Sequence, residues 1–139
     1  MNLRDVMTPN PQTLSPEASI RDAARLMRDN DTGAVPVVEN GRPLGIVTDR
    51  DIVVRAVAEG DLNRRVRDVV TDELVTGTPE MSTNEAAELM GRHQIRRLPV
   101  VENDRLVGIV SLGDIAVKTG DEKRSGDALQ DISQGVKER

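Results

Sequence analysis

Hydrophobic positions along the chain follow a helical period twice. Apolar residues recur three or four positions apart from Ile20 to Met27 and again from Ala86 to Met90, the spacing of one buried helix face. Ser19 and Ser82 precede these runs, and each has an acidic residue three positions later. A hydroxyl followed at that distance by an acid is a capping box, so we predict a helix starting after each serine.

Each helix is followed by two short apolar runs that predict strands. Val35–Glu39 and Leu44–Val47 flank the pair Asn40-Gly41, which favours a tight hairpin. Leu98–Glu102 and Leu106–Val110 form the matching pair of runs. Each half begins with a short amphipathic lead-in, residues 2–7 or 64–70, and a brief extended piece around Thr13 or Thr76. A second helix completes each half, which gives the order β-α-β-β-α and a small three-stranded sheet twice.

The two halves are copies of one another. A shift of 63 residues carries Asp51 onto Asp114 and Pro36 onto Pro99, and carries "PVVEN" and "RDV" onto identical letters without a gap. A unit of this length buries only about 60% of its unfolded surface, so each copy alone is marginal. We therefore expect an α+β protein in which the two sheets pack together with pseudo-two-fold symmetry.

The repeat sets the expected domain limits. We expect domains at residues 2–60 and 63–120, followed by a polar tail at 121–139. Four apolar residues of that tail predict a short helix: Ala128, Leu129, Ile132 and Val136.

Composition narrows the possible partners. The 139 residues carry a net charge of −5 and include no Phe, Tyr or Trp, which argues against phosphate-backbone binding and base stacking by nucleic-acid readers. There is no cysteine and only one histidine, His93. No apolar stretch approaches the roughly 20 residues of a membrane helix. We expect a cytoplasmic protein without membrane or nucleic-acid partners, and we expect His93 to be exposed or to cap a helix end.

At this point the sequence resembles a known family. The segments "VPVVEN" and "LPVVEN", each followed by "GIVTDRD" or "GIVSLGD", look like a tandem pair of CBS domains, also called a Bateman module. The resemblance covers roughly residues 2–120. The chain is similar to stand-alone bacterial two-CBS proteins, including those of the hypoxic-response type. The resemblance implies adenine-nucleotide binding between the repeats and pairing into dimers.

The repeated motif has two interpretations that stay open at this stage. Thr48 with Asp51, and Ser111 with Asp114, are spaced to cap the second helix of each repeat without any ligand. The resemblance adds a second role, in which the aspartates bind a ribose diol and the hydroxyls bind phosphate. One residue can cap when the site is empty and bind when it is occupied.

The resemblance also implies two crossed clefts, each joining one repeat's motif to the opposite repeat's first strand. We expect the cleft with Asp51 and Arg97 to bind phosphates more tightly, because arginines offset the carboxylate charge. The alternative for Arg96 and Arg97 is a solvated charge pair, or ion pairs to Glu88 or Asp49. The full expected nucleotide-binding set is Thr13, Val35, Pro36, Thr48, Arg50, Asp51, Thr76, Arg96, Arg97, Leu98, Pro99, Ser111 and Asp114.

The expected function is a regulatory module that binds AMP, ADP or ATP and signals to an unidentified protein, as a homodimer and with no metal required. The alternative is a stress or interaction protein without a ligand, in which the motifs only cap helices. An enzyme is disfavoured, because one histidine and no cysteine leave little for acid-base or covalent catalysis.

Overall fold

Two antiparallel hairpins carry most of the β structure of this chain. The structure, a computed structural model, describes residues 1–70 and 74–119. The element order is α1 (Leu3–Val6), β1 (Thr8–Pro9), α2 (Ile20–Asn30), β2 (Ala34–Glu39), β3 (Arg42–Thr48), α3 (Asp49–Asp51), a π-helix (Ile52–Val57), a 3-10 helix (Val66–Asp68), α4 (Thr83–His93), β4 (Arg97–Glu102), β5 (Arg105–Ser111) and α5 (Leu112–Thr119). The mixed α+β class is therefore confirmed, and each repeat has the predicted helix followed by two strands. The first strand predicted in each repeat is only an isolated bridge, from Leu14 to Val37 and from Gly77 to Val100. The predicted tail helix lies outside the described residues.

Both hairpins turn through left-handed backbone. Asn40 and Gly41 have φ of 54° and 82°, and Asn103 and Asp104 have φ of 54° and 64°. Two consecutive residues with positive φ form the type I′ turn that suits the twist of paired strands. The strands pair from Ala34 opposite Thr48 in one hairpin and from Arg97 opposite Ser111 in the other.

The helices after Ser19 and Ser82 begin as predicted, although their caps differ. Ser19 Oγ accepts the Asp22 backbone N–H at 3.0 Å, and the Asp22 carboxylate accepts the Ser19 N–H at 3.3 Å. Ser82 Oγ accepts the Glu85 N–H at 3.1 Å. Within the described residues, the Glu85 carboxylate does not accept the Ser82 backbone N–H. The capping box expected at Ser82 is thus only half formed.

The chain divides into two compact units. The central unit is Gln12–Leu74, and the terminal unit combines Met1–Pro11 with the chain from Val75 onward. The predicted domain limits follow the sequence repeat and stay a prediction, as does the packing of one sheet on the other. The compact units do not coincide with the repeats. The lead-in of the first repeat packs in the terminal unit, and the lead-in of the second repeat packs in the central unit.

The terminal unit buries the first lead-in. Leu3 and Val6 are fully buried in a core with Met90, Leu98 and Val110. The Leu3 N–H donates to the Met81 carbonyl at 2.9 Å, and β1 adds a third strand beside β5, in the order β1-β5-β4. The third strand is thus Thr8–Pro9 and not the predicted extended piece near Thr76, which makes a single bridge from Gly77 to Val100.

The central unit buries the second lead-in by equivalent contacts. Val66 and Val69 are fully buried in a core with Ile20, Val37 and Val47. The Val66 N–H donates to the Ala18 carbonyl at 2.8 Å, the counterpart of the bond made by Leu3. Among the described residues of this unit, β2 and β3 form a two-stranded sheet.

The ion pairs of the lead-ins repeat as well. In the terminal unit, Arg4 contacts Glu80 and Glu102, each at 3.0 Å. The hydrogen bond to Glu80, followed by the one to Glu102, raises the pKa of Arg4. In the central unit, Arg67 contacts Glu17 and Glu39, the residues at the same repeat positions. Within the described ranges, no helix is long and apolar enough to cross a membrane.

Candidate functional site

The end of each hairpin leads directly into a helix through a closed cap. In the central unit, Thr48 Oγ1 accepts the Asp51 backbone N–H at 3.1 Å, and Asp51 Oδ2 accepts the Thr48 N–H at 3.0 Å. In the terminal unit, Ser111 Oγ accepts the Asp114 N–H at 3.0 Å, and Asp114 Oδ2 accepts the Ser111 N–H at 3.3 Å. Both motifs therefore form the capping boxes that their spacing predicts.

These two caps differ from the cap at Ser19 in exposure. All four residues of the Thr48 and Ser111 caps are partly buried, and the Asp51 side chain is 15% exposed. Asp22 makes the same cap while it is exposed. A helix cap does not require a desolvated carboxylate, which has a cost in free energy. Partial burial is therefore the property that separates the repeated motifs from an ordinary cap.

The remaining oxygen of each carboxylate has a different neighbour in the two units. Asp51 Oδ1 lies 3.9 Å from Arg55 Nε. Lys118 occupies the repeat position of Arg55, and its Nζ donates to the Val6 carbonyl at 2.8 Å. Within the part of the chain that the structure describes, Asp114 Oδ1 makes no hydrogen bond or ion pair. Asp114 thus has one oxygen available to a ligand.

The residues before the first strand of each hairpin lie beside these caps. The Asp49 N–H donates to the Gly33 carbonyl at 2.9 Å, and the Leu112 N–H donates to the Arg96 carbonyl at 3.1 Å. Arg97 is paired opposite Ser111, so the terminal unit brings Arg96 and Arg97 beside its own motif. The predicted grouping of Arg97 with Asp51 joins residues of different units and stays a prediction.

The other expected binding residues occupy the approach to the sheets. Thr13 is exposed and Thr76 is partly buried. The residue after each threonine bonds to a buried strand proline: the Leu14 N–H donates to the Pro36 carbonyl at 3.0 Å, and the Gly77 N–H donates to the Pro99 carbonyl at 2.9 Å.

Two expected binding residues belong to the cores instead. Val35 is 1% exposed and Leu98 is 0% exposed, and both pack among core side chains. We leave them out of the binding set proposed below. Arg50 is exposed on the first turn after Thr48, and His93 is exposed at the end of α4.

Sequence reasoning missed Arg55 and the close approach of Gly33 to Asp49, both beside the Thr48 motif. Arg55 pairs with Asp51, and an acid and a base four positions apart on a helix are a recognisable signal. A Cβ placed on Gly33 would lie 2.9 Å from Asp49 Oδ2. No pattern in the sequence indicates this approach, because it depends on how the hairpin end meets the helix.

Comparison with known proteins identifies the two repeats. The family model of the CBS domain matches residues 3–57 and 66–118. The CBS domain-containing protein YhcV of Bacillus subtilis is 47% identical over 133 residues, covering 95% of both chains. A CBS domain pair of protein MJ0100, solved with 5-methylthioadenosine and S-adenosyl-L-methionine, is 27% identical and covers 88% of this chain and 98% of its own, with a TM-score of 0.79.

A third similar structure corrects the expectation about metals. Hypoxic Response Protein I, 33% identical over 85% of this chain and 98% of its own, has a TM-score of 0.77 and was crystallised with two coordinated zinc ions. The expectation that no metal is required is therefore wrong as an inference from the resemblance. In this chain, residues 1–70 and 74–119 contain no group of three or more His, Cys, Asp and Glu side chains placed to hold a metal ion, so the described residues do not fit such a zinc site.

The matched segments cover most of the chain, and they coincide with the two sets of hairpin, cap and helix that the structure contains. The chain belongs to the CBS domain family and contains a pair of CBS domains.

Proposed function

We propose that this chain is a regulatory CBS pair that binds an adenine nucleotide, AMP, ADP or ATP, and signals its occupancy to another protein without catalysis. The observation that carries the proposal is the pair of partly buried carboxylates, Asp51 and Asp114, held in identical caps. The adenosine compounds bound by the similar pair of MJ0100 support the same ligand class. We further propose a cytoplasmic homodimer.

A carboxylate can cap a helix and bind a ribose at the same time. It has two oxygens with about four lone-pair directions, and each cap uses Oδ2 for one backbone N–H. Oδ1 then accepts the hydroxyls of a ribose. A hydrogen bond to a charged group contributes about 1.5–3 kcal/mol, so the ligand gains affinity while the helix keeps its cap.

The two arginines at the start of β4 supply the charge that phosphate requires. Arg96 and Arg97 are exposed, so their guanidinium groups are accessible to a phosphate, which arginine binds with two parallel hydrogen bonds. The repeat positions in the central unit are Gly33 and Ala34, which carry no charge. Arg50, Thr48 and Ser111 are the further phosphate ligands in this proposal.

The adenine ring requires a flat apolar surface, and this chain offers no aromatic side chain for stacking. Thr13 and Thr76, which lie beside the buried Pro36 and Pro99 of their respective units, are the proposed adenine contacts, and the prolines form the apolar floor beneath them. Signalling in this proposal requires two conformations of the pair that a partner protein distinguishes. A ligand changes their populations only as far as its affinities for the two conformations differ.

A second candidate function is an interaction protein without a ligand. Both caps are closed by their own backbone, and a closed cap favours this alternative because it explains the hydroxyl and the acid without a nucleotide. Calorimetry separates the two candidates.

The test is isothermal titration calorimetry with AMP, ADP, ATP, NAD and S-adenosylmethionine on the wild type, Asp51→Asn and Asp114→Asn. Asparagine keeps a cap acceptor and removes the charge. We expect an adenine nucleotide to bind the wild type, and the affected variant to lose about 10- to 100-fold in affinity, the loss of one charged hydrogen bond. Asp22→Asn changes an exposed cap of the same geometry and should leave affinity unchanged. Equal affinity in all four proteins would leave capping as the whole explanation.

Arg97 has its own test, which compares ligands with and without phosphate. Arg97→Ala should weaken AMP binding and leave adenosine binding unchanged, while Arg92→Ala, an exposed arginine on α4, should change neither. Double-mutant cycles of Arg97→Ala with each aspartate variant identify the carboxylate that acts with it, because only groups at one site couple. Equal losses for AMP and adenosine would remove the phosphate role.

A further inference from the structure

The terminal unit contains two methionines that are neither buried nor fully exposed. Met7 and Met81 are partly buried and pack against the core of this unit. Met27 and Met90 are 7% and 0% exposed, whereas Met1 is 66% exposed. The chain has five methionines and no cysteine, so the methionine thioethers are the side chains that a peroxide oxidises most readily. Exposure ranks the five by their access to such an oxidant.

Met7 lies over a glycine of the second repeated motif. A Cβ placed on Gly108, the first residue of "GIVSLGD", would lie 2.5 Å from Met7 Sδ and 3.0 Å from Met7 Cγ. The thioether therefore fills the space above the Gly108 backbone. Met7 follows α1 directly, and its N–H donates to the Leu3 carbonyl at 2.9 Å. Met7 thus holds the first lead-in against β5, the strand that ends at Ser111.

The central unit has no thioether at the equivalent place. Val70 occupies the repeat position of Met7, and Ala18 occupies that of Met81. The backbone turn is nevertheless the same, because the Val70 N–H donates to the Val66 carbonyl at 3.0 Å. The two units share this turn and differ in whether its side chain can be oxidised.

We propose that Met7 is a reversible oxidation site through which hydrogen peroxide loosens the first lead-in. A lone pair of Met7 Sδ attacks the peroxide, the S–O bond forms, the O–O bond breaks, and the second peroxide oxygen leaves as water. The thioether is oxidised to a sulfoxide, and the peroxide is reduced. Methionine sulfoxide reductases reverse this change. The proposal goes beyond nucleotide binding and does not depend on it.

A sulfoxide does not suit the position that the Met7 thioether occupies. It is polar and larger by one oxygen, and the thioether already fills the space over Gly108. A polar group placed in an apolar contact without a hydrogen-bond partner costs free energy. The oxidised side chain therefore leaves Gly108, and α1 and β1 lose a contact that holds them to β5.

The first experiment treats the wild type, Met7→Leu and Met1→Leu with graded hydrogen peroxide. Trypsin cleaves after Arg4 and so separates Met1 from Met7, which lets mass spectrometry measure the sulfoxide at each. We expect Met1 to be oxidised first, Met7 next, and Met90 last.

Urea unfolding then measures the consequence for stability. Oxidation should raise the equilibrium constant for unfolding of the wild type about 5- to 30-fold, and the reductases should restore it. Met7→Leu keeps a side chain of similar volume that cannot be oxidised, so peroxide should not change its stability. Met1→Leu should respond like the wild type. Far-ultraviolet circular dichroism checks folding, and Met7→Val, which copies the central unit, replaces Met7→Leu if that variant is unfolded.

Hydrogen exchange locates the effect within the chain. After oxidation, the Met7 N–H should exchange faster, because the turn that it closes is no longer held against β5. The Val70 N–H closes the matching turn of the central unit and should exchange at an unchanged rate.

Three results would overturn the proposal. If Met7 stays reduced while Met1 is oxidised, its sulfur is inaccessible to peroxide. If oxidised Met7 leaves both stability and exchange unchanged, its packing on Gly108 does not hold the lead-in. If Met7→Leu loses as much stability in peroxide as the wild type, the sensitive residue lies elsewhere, and Met81→Leu tests the other partly buried methionine.

Discussion

Replacement of Leu3 by alanine tests the exchange of lead-ins between the repeats. Leu3 is fully buried in the terminal unit, although it belongs to the repeat that forms the central unit. A Cβ placed on Gly77 would lie 2.9 Å from Leu3 Cδ1 and 2.9 Å from Leu98 Cδ2. Leu3 therefore fills the space directly over the backbone of Gly77.

The expected magnitude follows from this packing. Truncation of a fully buried leucine to alanine costs about 3–5 kcal/mol of the free energy of unfolding, because a cavity remains. Gly77→Ala in the wild type costs about 1–3 kcal/mol, because the added methyl group meets two packed side chains. In the Leu3→Ala background this methyl group enters part of the cavity, so the double variant should cost less than the sum by about 1 kcal/mol.

The assay is urea unfolding followed by far-ultraviolet circular dichroism, since the chain has no Trp, Tyr or Phe for intrinsic fluorescence. Val66→Ala is the matched control, because Val66 is fully buried at the same repeat position in the central unit. Its cost should add to that of Gly77→Ala without coupling. The packing account fails if Leu3→Ala costs less than about 1 kcal/mol, or if Leu3→Ala and Gly77→Ala are additive.

Two further substitutions test local structure with the same assay. Ser19→Ala should cost about 1 kcal/mol, because it removes the acceptor for the Asp22 N–H; no loss would mean that the cap contributes nothing to stability. Gly41→Ala should cost about 1–2 kcal/mol, because Gly41 has a φ of 82° that an L side chain rarely adopts; an unchanged midpoint would contradict the type I′ turn.

The hairpins and the caps were predictable because their signals are local. Asn40-Gly41 fixes the turn, and the spacing of Thr48 and Asp51 fixes the cap. The predicted strands are one to three residues too short, since the ladder extends to Ala34 opposite Thr48 and to Glu39 opposite Arg42, beyond the predicted apolar runs. Hairpin pairing then places Arg97 opposite Ser111.

The exchange of lead-ins was not predictable from the pattern. The alternation of Leu3 and Val6 with charged residues indicates that this segment is buried, but both repeats carry similar surfaces to receive it. Pattern alone cannot choose between two copies of one acceptor. The π-helix Ile52–Val57 has no sequence signal either, because its apolar residues fit an ordinary helix equally well.

Partial burial of the two carboxylates was also beyond the sequence. The acid three positions after a hydroxyl reads identically at Asp22, Asp51 and Asp114, yet only the last two are partly buried. Burial depends on the tertiary surroundings of the hairpin ends, which a local pattern does not contain. It is also the property on which the proposed nucleotide site depends.

The most direct test of that site is a crystal structure of the chain grown with AMP. The account predicts a ribose hydroxyl about 2.5–3.0 Å from Oδ1 of Asp51 or Asp114, while Oδ2 still accepts the N–H of Thr48 or Ser111. AMP bound away from both carboxylates would contradict it. Crystals that were grown with AMP but contain none, with both caps unchanged, would also contradict it.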